Sequence, residues 1–273
     1  MRIMNLIEDT PGKEGCLFEH GLSFYIETEK HKLLVDTGAT DAFLRNAKVL
    51  GLDPQEIDTV ILSHGHYDHG GGLLAFTEIN DKAVIYLHEN ALGDFYSEKP
   101  DRTYYAGIEK QIGKLPQVKF VNEDMVIDEE LFLFTNVTGR RHWPSGNLKL
   151  KEKVNDELVQ DEFLHEQYLV IRAEGKEILM SGCAHNGILN ILDRYINIIG
   201  NEPDLIISGF HMMKTGEYSE EEIETIRQTA CELKKYKTKY YTGHCTGESA
   251  FKIMKEILGE QIEYIRSGQK LDV

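Results

Sequence analysis

Short apolar runs separated by polar turns recur along the whole chain. Gly21-Leu-Ser-Phe-Tyr-Ile-Glu and Lys32-Leu-Leu-Val-Asp-Thr-Gly read as strands joined by the polar turn Thr28-Glu-Lys-His, which predicts a hairpin. Residues 40–51 carry Phe43, Leu44, Ala47 and Leu50 at helical spacing with Gly51 as the stop. Thr59-Val-Ile-Leu-Ser follows as a buried strand, residues 73–80 begin a helix, and Ala83-Val-Ile-Tyr-Leu-His is another strand. Further strands are expected at Val118-Lys-Phe-Val, Met125-Val-Ile and Leu131-Phe-Leu-Phe-Thr-Asn-Val.

The second half changes rhythm to strand then helix. Strands are expected from Tyr168, Glu177, Asp204 and Lys239, and helices over residues 187–198, 219–236 and 247–258. Ser219 with Glu222 has the spacing of a capping box at the start of the second of these helices. No Pro/Gly/Ser-rich linker divides the pattern, so residues 1–273 are expected to form one α/β (α+β) domain. The polar, tyrosine-bearing stretch 89–115 is read as an insertion or lid.

Composition narrows the function classes. Hydrophobic residues make up 41% and charged residues 28%, with no apolar stretch near the ~20 residues of a membrane span. The net charge of −16 argues against a nucleic-acid surface, and an anionic substrate would need a local basic pocket. Cys16, Cys183, Cys231 and Cys245 form no Cys-x-x-Cys pair, which fits a reduced protein, and the cytoplasm is the expected location. Cys231 is expected to be a small buried group in its helix. His31 and His88 are expected to be solvated, His165 exposed, and His20 close to the site.

Candidate chemistry concentrates in His64-Gly-His66-Tyr-Asp68-His69, at the end of Val60-Ile-Leu and just before Gly70–Gly72. Three imidazoles and a carboxylate within six residues can converge only through a sharp turn, for which the small residues Ser63, Gly65 and Gly70–Gly72 leave freedom. That donor set suits Zn²⁺, Fe or Mn²⁺ better than Ca²⁺ or Mg²⁺. Three later strands end in a small residue, a glycine and a histidine: Ser181-Gly-Cys-Ala-His185, Ser208-Gly-Phe-His211 and Thr242-Gly-His244. Strand ends gather on one rim in such folds, so His185 and His244 are expected in the metal shell and His211 nearer substrate. Arg140 and Arg141, beside His142-Trp143, suit an anionic substrate group or a solvated turn.

The His-x-His-x-Asp-His pattern after a buried strand resembles the metallo-β-lactamase superfamily. Four segments resemble one branch of it: Glu19-His-Gly-Leu-Ser-Phe-Tyr-Ile-Glu, Gly182-Cys-Ala-His-Asn-Gly-Ile-Leu-Asn, Ser208-Gly-Phe-His-Met and Tyr241-Thr-Gly-His-Cys-Thr-Gly. That branch holds the 7,8-dihydropterin-6-methyl-4-(β-D-ribofuranosyl)-aminobenzene-5'-phosphate synthase-like proteins. The resemblance implies a four-layer αββα sandwich and a mono- or dinuclear metal site. His64, His66 and His185 would hold one ion, and Asp68, His69 and His244 a second. Cys183 occupies the position of the superfamily's bridging acid, to be either a ligand or a buried thiol. Asp36 is similar to a strand-end aspartate that orients the ligand loop, and Asp-Thr-Gly is also a turn former.

The activity so implied is that of a metal-dependent hydrolase acting on a small, phosphate-bearing substrate through a metal-activated water, with Asp68 guiding the proton. Zinc is the expected metal, with iron or manganese as alternatives, and a homo-oligomer is possible. The branch also implies a pterin-type synthase. A di-iron redox or oxygen-handling protein on the same scaffold and a metal-binding protein without turnover are the competing classes.

Overall fold

A computed structural model describes residues 1–272 of the chain. The strands form two seven-stranded sheets and a smaller third one. The first sheet has the order Lys270–Leu271, Arg2–Ile7, Ser23–Glu27, Lys32–Val35, Thr59–Leu62, Val84–His88 and Val118–Val121. The second has the order Ile262–Tyr264, Lys239–Thr242, Leu205–Ile207, Lys176–Met180, Tyr168–Ala173, Leu131–Phe134 and Met125–Val126. Each begins with antiparallel pairs in the chain and continues with parallel ones.

Both large sheets are buried on both faces, which is why their strands read as continuous apolar runs rather than alternating ones. Along Lys32–Val35, Leu33 and Val35 face the other sheet while Leu34 faces the helices. Leu169 and Ile171 likewise face the first sheet, and Tyr168 and Val170 face the helices on the far side. Three apolar layers result. One joins the helices Ala42–Val49 and Leu73–Thr77 to the first sheet, one fills the space between the sheets, and one joins the helices Ile188–Ile199, Glu220–Leu233 and Glu248–Leu258 to the second sheet. The fold is thus a four-layer αββα sandwich. The capping box at Ser219 and Glu222 is present.

The stretch expected as a lid contributes the hairpin Phe95–Lys99 and Arg102–Tyr105, and it does not stand alone. Leu150–Val154 pairs with it and Glu157–Gln160 pairs with that strand, making the third sheet. Among the described residues no helix is long and apolar enough to cross a membrane.

Several expectations for single residues are corrected. Cys231 is exposed, because it lies off the face of helix Glu220–Leu233 that buries Ile226, Ala230 and Leu233. His165 and His88 are buried. His31 is not free in solvent but sits between Asp58 and Asp128, at 2.9 and 2.6 Å. His88 Nδ1 accepts the Asn90 N–H at 3.1 Å, capping the turn that follows its strand.

Burial, and secondarily His165, pushes the His88 imidazole down from 6.5 to about 4. The unfolded chain therefore binds this proton more tightly between those values, so the contribution of His88 is intact above pH 6.5 and is lost as pH falls toward 4. The full loss is about 3 kcal/mol at 1.36 kcal/mol per unit. In urea unfolding at pH 7, 5.5 and 4, His88→Asn should lose less stability on acidification than the wild type by that order. Equal acid slopes would refute the assignment.

Candidate metal centre

All of the strand ends expected to meet do so. The motif follows Thr59–Leu62, Cys183 and His185 follow Lys176–Met180, His211 follows Leu205–Ile207 and His244 follows Lys239–Thr242, each at the C-terminal end of a strand in a parallel pair. The glycines of the motif serve close approach rather than backbone twist, since none of Gly65 and Gly70–Gly72 has positive φ. A Cβ on Gly65 would lie 2.2 Å from the Ala91 carbonyl oxygen, and one on Gly182 would lie 2.2 Å from Ser63 Oγ. The second contact interlocks the two sheets at the site. Positive φ falls instead on Asp36, Ala184, His211 and His244, at values between 49° and 58°. Non-glycine residues adopt that region at a cost, which clusters here at strand ends.

One nitrogen of four imidazoles is committed to the protein. Asp36 Oδ1 accepts the Ser63 N–H and its Oδ2 accepts both Ser63 Oγ–H and His69 Nδ1–H, all at 2.7 Å. Because the Ser63 hydroxyl proton goes to Asp36, Ser63 Oγ accepts from His64 Nδ1 at 2.9 Å. His185 Nδ1 donates to Asn147 Oδ1 at 2.9 Å and His244 Nδ1 to Asp9 Oδ1 at 2.5 Å. The rings of His64, His69 and His185 are thereby left with an Nε2 lone pair facing the interior, whereas His244 Nε2 faces Asp68 Oδ2 at 3.3 Å. Among the described residues, Nε2 of His64, His185 and His244 is buried without a hydrogen-bond partner, as is Nε2 of His66, which faces Asp161 Oδ2 at 3.7 Å rather than the other rings.

Three candidate ligand groups share one sulfur, the third joining Cys183 to His211 and Cys245. Donor atoms of Asp68, His69, Cys183 and His244 lie within 4.8 Å of one another, as do those of His64, Cys183 and His185. Cys183 Sγ is 3.1 Å from His69 Nε2. The His66 ring centroid is 4.7 Å from that of His64 and 4.9 Å from that of His185. Buried nitrogen lone pairs with no partner, a carboxylate and a thiol are the donor chemistry of a divalent transition metal, so the residues fit one or two such ions.

Electrostatics divides the cluster in two. Burial, and then the neighbouring imidazoles, holds His64 and His185 well below the ordinary histidine range, which keeps them neutral. Burial opposes charge on His244 as well, but Asp9 and Asp68 override it and hold its proton affinity well above the usual value. Asp68 is held well below the carboxylate range in spite of burial by His244, His69 and His20. Its Oδ2 is 3.3 Å from His244 Nε2 and 3.4 Å from His20 Nε2. Burial pushes the Cys183 thiol up, so a thiolate there needs a cation beside it.

The superfamily model described as metallo-beta-lactamase matches residues 17–147. Over 98% of this chain and 95% of the relative, the sequence is 31% identical to the 7,8-dihydropterin-6-methyl-4-(beta-D-ribofuranosyl)-aminobenzene-5'-phosphate synthase of Methanocaldococcus jannaschii. The chain belongs to the metallo-β-lactamase superfamily. Tm1679, a solved metal-dependent hydrolase of the β-lactamase superfamily, is 34% identical with a TM-score of 0.83, covering 100% of this chain and 99% of its own. Zn²⁺-bound PqqB from Methylobacterium extorquens, 14% identical with full coverage of both chains and a TM-score of 0.61, shares the fold.

A cavity of about 460 Å³ opens over the cluster, lined among others by His20, His66, Asp68, Cys183, His185 and His211. Ser97 and Tyr104 of the third sheet also line it. Arg140 and Arg141 do not. Arg140 is engaged with Asn186 and Glu162, and Arg141 with Asp193 and Glu232, so both guanidinium groups are drawn to acids away from the cavity. Lys149 and Lys214 are the lysines that line it. The sequence reading did not pick out Asp9, Asn147, Asp161 and Glu166. Glu166 Oε1 accepts the His185 N–H at 2.7 Å and its Oε2 the Asn186 N–H at 2.9 Å, shaping the turn that presents His185.

Asp36→Asn replaces an acceptor of three donors with an amide whose NH2 repels at least one of them. Chelator-treated variant protein should unfold with about 2 kcal/mol less stability, and should retain added Zn²⁺ about 10–100-fold more weakly. Unchanged urea midpoint and metal affinity would rule out the role of Asp36 as an orienting group.

Proposed function

We propose that this chain is a metal-dependent enzyme of the hydrolase type that acts on a small, anionic, phosphate-bearing substrate in the cavity above the cluster. The observation that carries this reading is the convergence of buried, unpartnered imidazole Nε2 atoms around Cys183 and Asp68. His64, His66 and His185 would hold one ion and Asp68, His69 and His244 a second, with Cys183 between them. Zinc suits nitrogen and sulfur donors together, and iron or manganese are the alternatives. Such ions, when bound, supply Lewis acidity and bring the pKa of a water toward ~7.

The protein's own contribution is orientation. Asp68 is kept ionised by the imidazoles around it, so it acts by accepting a hydrogen bond from the nucleophile and guiding its proton rather than by storing that proton. His211 and the ammonium groups of Lys149 and Lys214 line the cavity and support anion binding there, in place of Arg140 and Arg141. Lys214 Nζ is 2.6 Å from Glu222, which leaves it a partial rather than a full countercharge.

A second reading is favoured by the 31% identity to a synthase over nearly the full chain. The product in that relative's name carries a dihydropterin, an aminobenzene and a ribofuranosyl phosphate. A second cavity of about 520 Å³, lined by Trp143 and Tyr218, shares His211, Met212 and Lys214 with the first and gives room for a two-part ligand. In this reading the cluster activates a substrate for bond formation instead of hydrolysis.

Purified protein should contain tightly held transition metal, read by elemental analysis. His66→Ala should lose about one equivalent and its turnover with it. Full metal content and activity in that variant would sink the site. The metal-loaded protein should turn over phosphate-bearing members of a panel of phosphodiesters, lactones, thioesters and pterin phosphates. Exclusive turnover of lactones or thioesters would overturn the substrate class.

A further inference from the structure

His66 is held differently from the other four histidines of the cluster. Where His64, His69, His185 and His244 give Nδ1 to a protein acceptor, the nitrogen of His66 that faces a carboxylate is Nε2, 3.7 Å from Asp161 Oδ2. That separation is longer than a hydrogen bond, so the carboxylate acts on the ring through its field rather than by accepting a proton from it. The nitrogen left for the interior is therefore Nδ1, on a ring that lines the cavity.

Asp161 is 1% exposed and does not line the cavity. Its oxygens are engaged on all sides. Oδ1 accepts the Phe163 N–H at 2.7 Å, and Oδ2 lies 3.1 Å from His165 Nε2. The tautomer of His165 follows from its other nitrogen, since His165 Nδ1 accepts the Gly65 N–H at 3.1 Å and so cannot carry the proton. The proton sits on Nε2 and is donated to Asp161. A closed circuit results, from Gly65 of the ligand loop through His165 and Asp161 to His66, the next residue of the same loop. Phe95 and Phe163 wall it in, with ring centroids 4.1 and 6.0 Å from that of His165.

We infer that Asp161 and His165 form a positioning pair that fixes the ring orientation of His66 in the ligand loop. The inference rests on the metal-centre reading of His66 and goes beyond it by assigning a function to two residues outside the ligand set. His165 acts on Asp161, and Asp161 acts on His66. Neither is a ligand, because both carboxylate oxygens and both imidazole nitrogens are engaged with the protein. A carboxylate behind a ligating imidazole also raises its basicity, which strengthens the bond on the opposite nitrogen.

The test uses the full-length protein loaded with Co²⁺ or Zn²⁺, and compares the wild type with Asp161→Asn and His165→Gln. Binding of two equivalents by the wild type, read by competition with a chromophoric chelator, establishes the metal centre itself. Binding of no equivalent would remove the metal reading before the pair is tested, and binding of one only would overturn the two-ion arrangement on which the comparison depends. Asp161→Asn should weaken one equivalent by about 10–100-fold and leave the other unchanged, with a shift in the visible Co²⁺ bands. His165→Gln should change both readouts in the same direction and by less. Thermal unfolding of the chelator-treated variants separates misfolding from misorientation, and Asp161→Glu provides the conservative comparison, expected to recover part of the lost affinity. Wild-type affinity and an unaltered Co²⁺ spectrum in folded Asp161→Asn would overturn the assignment, as would equal weakening of both equivalents.

Discussion

The buried carboxylate of Asp36 is the constraint on which the histidine cluster depends. It ends the strand Lys32–Val35 in a left-handed conformation at φ 58° and accepts three hydrogen bonds from the neighbouring strand's end. Through His69 it sets one ring directly, and through the hydroxyl of Ser63 it sets His64. One carboxylate thereby fixes imidazoles in both halves of the cluster. The side chain it uses to reach His64 is also the one against which Gly182 packs, so the second sheet is registered to the first at the same atom. A larger residue at 182 would displace Ser63 and, with it, the proton arrangement of His64.

Gathering this many ionisable groups in the interior is costly, because each charged form loses its hydration. The fold offsets that cost differently in the two halves. Around His64 and His185 it uses neutral imidazoles, whose lone pairs need a cation but carry no charge. Around His244 it uses paired opposite charges, with Asp9 and Asp68 on either side of the imidazole. The two halves therefore present unequal negative charge to an incoming divalent ion. The Asp68 half would attract a cation by charge, and the His64 half would hold one by lone pairs. Cys183, shared by both, becomes an effective donor only when its proton is displaced.

The residues that gather in the cluster were legible in the sequence because their constraints are local. His64-Gly-His66-Tyr-Asp68-His69 is a contiguous turn, and the repeated Gly before His185, His211 and His244 reflects crowding at strand ends, visible as a spacing. The groups that orient those residues were not legible. Asp9 reaches His244 across 235 residues and His165 reaches Gly65 across 100, with nothing in either neighbourhood to mark the contact. Expecting Arg140 and Arg141 at the substrate overlooked that, in a chain with an excess of acids, a guanidinium is readily taken by Glu162, Asp193 or Glu232. The strands Leu150–Val154 and Glu157–Gln160 escaped notice for a related reason. The first carries three charges in five residues and the second is only four residues long and mostly exposed, so neither has the apolar run that marked the two large sheets.

The third sheet ties the question of specificity to the ligand loop. Tyr67 N–H donates to the Ala106 carbonyl at 2.9 Å, and His66 bridges to Gly107, so the segment after the hairpin is bonded to the motif itself. Gly65, between the first two histidines, is pressed against Ala91 at the start of the same insertion. Asp161, which faces His66, directly follows the strand Glu157–Gln160 of that sheet. The insertion therefore does more than roof the cavity. Changes in its sequence would reach the orientation of His66 as well as the contacts made by Ser97 and Tyr104. In this chain the element that shapes the cavity and the elements that orient one ligand are the same piece of structure, which couples what can bind to how the metal site is held.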